Sequence, residues 1–79
     1  MDKAKFIFIV ETEQHLTMLS RISQLFTRCR IAVEELQAST FADGQRFIIT
    51  VNDTKENATK IYRKIEGQVD VISVNLFEQ

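Results

Sequence analysis

Two residues with a chance of doing chemistry occur once each, His15 and Cys29. Hydrolysis or group transfer needs a nucleophile beside a base, a carboxylate pair or a set of metal ligands, and with one histidine and one cysteine most such arrangements cannot be assembled. The residue supply argues against catalysis, and neither a catalytic residue nor a metal site is expected. His15 lies between an apolar strand and a helical pattern, where a loop can meet a small effector or sense pH. A solvated loop histidine is its simpler role. Cys29 has no second thiol for a disulfide or a metal cluster. Arg28 and Arg30 beside it would lower its pKa if it were exposed, but its place on an apolar helical stripe marks a small core residue.

Charge and hydropathy narrow the partners. Ten Lys and Arg against eleven Asp and Glu give a net charge of -1, so no long-range field draws the chain to nucleic acid or to anionic lipid. Phe6 and Phe8 with the segment Arg46 to Val51 could suggest a base-stacking platform, but Gly44 is followed by Gln45 and Arg46 rather than by an aromatic, and no basic rim accompanies it. Residues 12 to 17 contain neither Gly nor Arg, which removes an anion-binding loop of the acylphosphatase kind. The longest apolar run, Phe6 to Val10, is far short of the roughly 20 residues that span a bilayer, and the charged start lacks a signal peptide's apolar segment. The expectation is a cytoplasmic protein with no nucleic acid and no membrane partner.

Seventy-nine residues, 44% of them hydrophobic, support one domain, placed here at residues 4 to 77. Residues 5 to 11 are apolar on both parities and read as a central strand. From Leu16 the apolar positions Met18, Leu19, Ile22, Leu25, Phe26 and Cys29 recur every three or four residues, the pattern of an amphipathic helix. A second strand runs from Ile31 to Phe41, with a parity switch at Glu34 and Glu35 that predicts a bulge. Ala42 to Gln45 is a turn in which Gly44 could supply positive φ, and Arg46 to Asn52 forms the third strand. Asp53 or Thr54 caps a second helix with the stripe Ala58, Ile61, Tyr62 and Ile65, an i, i+4 pair at Glu56 and Lys60, and Gly67 at its end. Val69 to Phe77 is the last strand. The order β-α-β-β-α-β predicts an α+β, ferredoxin-like sandwich: a four-stranded antiparallel sheet with both helices on one face and the other face uncovered. So small a domain gains from association.

With these elements placed, the chain resembles an ACT domain, and more narrowly the regulatory (small) subunit of acetolactate synthase, also called acetohydroxyacid synthase. The resemblance covers about residues 6 to 77. Its landmarks are Phe-Ile-Val-Glu-Thr-Glu at 8 to 13, Leu-Ser-Arg-Ile-Ser-Gln-Leu-Phe at 19 to 26, Arg-Cys-Arg-Ile-Ala-Val-Glu-Glu-Leu at 28 to 36, Arg-Phe-Ile-Ile-Thr-Val-Asn at 46 to 52 and Ile-Glu-Gly-Gln-Val-Asp-Val-Ile at 65 to 72. It implies a homodimer joined through sheet edges, with valine, leucine or isoleucine bound between protomers near the loop after the first strand. It further implies a chain without chemistry of its own, which associates with and activates the acetolactate synthase catalytic subunit. Thiamine diphosphate, Mg and FAD would belong to that partner, and none to this chain.

Effector contacts implied by the resemblance fall on Glu13, Gln14, His15, Leu16, Thr17, Met18, Ala32 and Val33. Two departures from the family pattern affect them. Gln14 and Thr17 stand where the family has Asn and then Gly, and Ala32 stands where it has Asn. A Gly lets backbone N-H groups approach a ligand carboxylate at a helix start, and Thr17 adds a Cβ there, although as an N-cap it would stabilise the helix. Ala32 has no polar side chain, and a lost contact to a charged group costs on the order of 1.5 to 3 kcal/mol. A weakened amino-acid response is the expectation, and the alternative role is a free-standing amino-acid sensor that regulates another enzyme. Many members append a C-terminal domain, whereas the resemblance here ends after the fourth strand; short single-domain members also fall within it, so the same role is expected.

Overall fold

A computed structural model describes residues 2–79. The elements are β1 (Lys3–Thr12), α1 (Met18–Arg28), β2 (Val33–Phe41), β3 (Gly44–Thr54), α2 (Lys55–Glu66) and β4 (Val71–Glu78), in the expected β-α-β-β-α-β order. The four strands form one antiparallel sheet in the order β2-β3-β1-β4, so β1 and β3 are central and β2 and β4 are edges.

Strand alternation builds the core. Phe6, Phe8 and Val10 of β1 and Phe47, Ile49 and Val51 of β3 point to the helical side and are buried, while Ile7, Ile9 and Ile48 on the opposite parity are only partly covered. Met18, Ile22 and Phe26 of α1 and Ala58, Ile61 and Ile65 of α2 close over this face. Phe8 and Phe26 meet edge to face, centroids 5.4 Å apart at 85°, an arrangement aromatic quadrupoles favour. On the uncovered face Arg46 bonds Glu11 at 2.7 Å and lies 5.8 Å from the Phe41 ring centre. The Arg46 hydrogen bond, with Ser73 adding a weaker one, outweighs burial and holds the Glu11 carboxyl below its ordinary pKa.

Several boundaries differ from the sequence expectation. Helix α1 starts at Met18, not Leu16, and Leu16 is fully exposed; Leu19 is also exposed, because the buried stripe is the narrower Met18, Ile22, Phe26. Ile31 is buried but precedes the strand, which begins at Val33, and the bulge falls at Glu34 as its parity switch requires. Cys29 is half-buried at the helix C-cap rather than enclosed. The next residue, Arg30, takes φ 59, and the Arg30 and Ile31 N-H groups bond back to Thr27 and Phe26, a Schellman ending made without glycine.

Neither glycine has positive φ. Gly67 does end α2, but in a right-handed conformation, and the left-handed residue of that connection is Asp70, φ 77, just before β4 begins at Val71 rather than Val69. Gly44 is the first residue of β3, paired with Phe41, and a Cβ there would run into the Thr12 carbonyl oxygen. Close strand approach, not turn conformation, is what demands glycine. At α2, Thr54 Oγ1 accepts the Asn57 N-H at 3.2 Å, and Asp53 accepts the Thr54 N-H at 2.7 Å and the Asn57 side-chain amide at 2.8 Å. Of the two alternatives, Thr54 is therefore the cap, and Asp53 buttresses it from the preceding position. The expected Glu56 and Lys60 ion pair is absent from the ion pairs among the described residues.

Candidate functional site

The C-terminal end of β1 feeds a five-residue loop, Glu13 to Thr17, and beside it lies the connection from α2 to β4. The backbone clips the two together, since Glu13 donates its N-H to the Asp70 carbonyl at 2.9 Å. The positive φ of Asp70, tolerated by its short polar side chain, turns the chain back into β4 at this point. The Asp70 carboxylate then faces two nitrogen-bearing side chains: Oδ2 is 3.4 Å from His15 Nε2 and 3.4 Å from Arg21 Nη1. Arg21 is further anchored by a 2.9 Å bond from Nη2 to the Val69 carbonyl. The His15 backbone is held at both ends, its N-H 3.4 Å from Gln45 Oε1 and its carbonyl accepting the Met18 N-H at 3.3 Å.

Of the eight residues singled out by sequence, the structure brings five into this loop. Glu13, Gln14, His15, Leu16 and Thr17 are exposed there. Met18 is fully buried in the core, so within one chain its side chain reaches no surface ligand. Thr17 occupies the N-cap position of α1 in a helical conformation, φ -93, and makes no side-chain cap bond, contrary to the capping role expected of it. Ala32 and Val33 lie at the other end of α1, beside an open cleft of about 500 Å³ lined by Phe26, Ile31 and Leu36 among others. An eleven-residue helix separates the two groups by about 16 Å. A single chain does not join them.

The sequence reading missed Asp70 and Arg21 as parts of the loop's surroundings. Each had one signal, Arg21 its place in the Leu-Ser-Arg-Ile landmark and Asp70 its place in the landmark at 65 to 72, but the approach of Asp70 to His15 depends on the α2 to β4 turn. No helix is long and apolar enough to cross a membrane among the described residues.

No protein-family model matches the chain, and no curated protein matches it in sequence. Solved structures do match. The ACT domain of GTP pyrophosphokinase from Chlorobium tepidum superposes with TM-score 0.84 at 9% identity, over 95% of this chain and 99% of that one. The regulatory subunit of aspartate kinase from Thermus thermophilus gives 0.72 at 16% identity, over 98% of this chain and 51% of that one. The 30S ribosomal protein S6 from Thermotoga maritima gives 0.78 at 8% identity, over 99% of this chain and 89% of that one. The fold is therefore the ferredoxin-like sandwich of ACT domains. Because a ribosomal protein shares it, function has to be argued from the site.

Proposed function

We propose that this chain is a non-catalytic regulatory subunit that dimerises through its sheet edges and associates with and activates the acetolactate synthase catalytic subunit, with branched-chain amino-acid feedback weakened. The observation that carries the reading is the division of the effector residues between the two ends of α1. Strand β2 is an edge of nine residues of which all but Leu36 are exposed, and beyond the bulge its run from Gln37 to Phe41 has neither proline nor charge to guard it. Antiparallel pairing of two such edges reverses one copy, carrying Ala32 and Val33 of one protomer toward the loop end of the other. The five sequence landmarks support acetolactate synthase as the partner, and thiamine diphosphate, Mg and FAD would be held by it.

Weakened feedback follows from the loop's electrostatics. An amino-acid carboxylate arriving here meets Glu13 and Asp70, while Arg21, the nearby cation, already bonds Val69 and faces Asp70. Acetolactate formation by the catalytic subunit, measured with and without this chain and with valine, leucine or isoleucine added separately, tests the reading. Activation with little inhibition is expected; a rate unchanged by the chain overturns the partnership.

A second reading is a free-standing amino-acid sensor for another enzyme. Its support is that structures similar to this chain include an ACT domain from GTP pyrophosphokinase and a regulatory subunit of aspartate kinase. It predicts a rise in melting temperature with one amino acid and no effect on acetolactate synthase, since ligand at about 100 times its Kd adds roughly 2.7 kcal/mol.

A further inference from the structure

Glu13, His15 and Asp70 each present one ligand atom, and the three atoms lie within 4.8 Å of one another. Two carboxylate oxygens with one imidazole nitrogen form a mixed donor set suited to a borderline first-row cation such as Zn²⁺ or Co²⁺ rather than to Mg²⁺ or Ca²⁺. The donors come from two segments far apart in sequence, Glu13 and His15 from one loop and Asp70 from the other, and main-chain bonds hold them in place, Glu13 N-H to the Asp70 carbonyl at 2.9 Å and Met18 N-H to the His15 carbonyl at 3.3 Å. Metal-ligand bonds of about 2.0 to 2.2 Å put neighbouring donors about 3 to 4 Å apart. The widest separation need close by only about 1 to 2 Å, and Glu13 and His15 are exposed, with His15 Nε2 already 3.4 Å from Asp70 Oδ2.

Charge favours the same ligand. Glu13 and Asp70 set two negative charges against the one of Arg21, with the imidazole neutral when it ligates. Arg21 contacts only the Oδ2 atom of Asp70, at 3.4 Å, which leaves Oδ1 available. Its guanidinium nevertheless repels an incoming cation, so its removal should strengthen binding. We propose that Glu13, His15 and Asp70 form a binding site for a divalent transition-metal ion that ties the loop after β1 to the turn before β4, with water completing the coordination. The inference does not depend on the acetolactate synthase reading, because ion binding needs no partner enzyme.

The test uses the untagged full chain. Co²⁺ is titrated by visible absorption and Zn²⁺ by calorimetry, with Mg²⁺ as the comparison, and the proton spectrum of the single histidine is followed. One ion per chain in the micromolar range is expected, with the His15 ring resonances broadened by Co²⁺ and no comparable response to Mg²⁺. His15→Gln and Asp70→Asn should each weaken binding by roughly tenfold or more, and Arg21→Gln should tighten it. Asn tolerates positive φ as Asp does, so Asp70→Asn removes the ligand charge without disturbing the turn. Absence of Co²⁺ binding at millimolar concentration, sharp His15 resonances in its presence, or unchanged affinity in His15→Gln would each overturn the site. Activation of acetolactate synthase is measured separately, and its failure leaves this result untouched.

Discussion

Gly44 lies so close to Thr12 that a Cβ on the glycine would overlap the Thr12 carbonyl oxygen. The contact joins the start of β3 to the end of β1, at the base of the candidate site. Gly44→Ala should therefore cost about 1 to 3 kcal/mol through overpacking against backbone that cannot yield. At Gly67 the nearest atom to an added Cβ is the Arg63 carbonyl oxygen at 3.6 Å, and φ is -80. Gly67→Ala should be neutral or stabilise by about 0.4 to 1 kcal/mol. Urea unfolding of both variants checks the pair, and equal losses would refute the steric argument.

Phe26 is the aromatic anchor of α1, 1% exposed and edge-on to Phe8. Phe26→Ala should lose about 3 to 5 kcal/mol, a large part of the roughly 5 to 15 kcal/mol typical of whole domains. Chemical denaturation followed by far-UV circular dichroism measures it. A loss under about 1 kcal/mol would mean that the helix is not held by this contact.

Asp53 gives stability an acid limb. Burial pushes its carboxyl up, but the Thr54 N-H, the Asn57 amide and the charge of Lys3 together outweigh burial and hold its pKa below the ordinary carboxylate value. With a folded pKa below the unfolded value of about 3.9, its contribution is complete above that pH and is lost as pH falls through the folded value. Melting temperature should fall more steeply below about pH 4 in the wild type than in Asp53→Asn. Parallel acid limbs in the two proteins would rule the assignment out.

Val33 opens β2 and is exposed on the edge proposed for dimer formation. Val33→Asp should shift a dimer to monomer in sedimentation velocity and weaken any amino-acid response, while the circular dichroism spectrum stays unchanged. A wild-type chain that sediments as a monomer across the micromolar range would remove the shared-site argument.

Local pattern carried much of the fold. The three- and four-residue spacing from Met18 to Phe26 and the alternation from Phe47 to Val51 identified a helix and a strand, because each periodicity belongs to contiguous residues facing one core. The bulge at Glu34 and the cap at Thr54 were equally legible. Boundaries slipped where a residue could serve a core without belonging to an element, as Ile31 does, or where apolar character did not mean burial, as at Leu16 and Leu19.

The amino-acid sequence alone determined the β-α-β-β-α-β order, the two apolar stripes and the shortage of catalytic groups. Tertiary structure decided which distant residues meet. It set Asp70 beside His15 and Arg21, placed Gly44 against Thr12, and put Ala32 and Val33 at the far end of α1 from Glu13 to Thr17. The physical reason is that periodicity records which face a residue shows to its own neighbours, whereas a site depends on the turns and strand pairings that bring separate segments together.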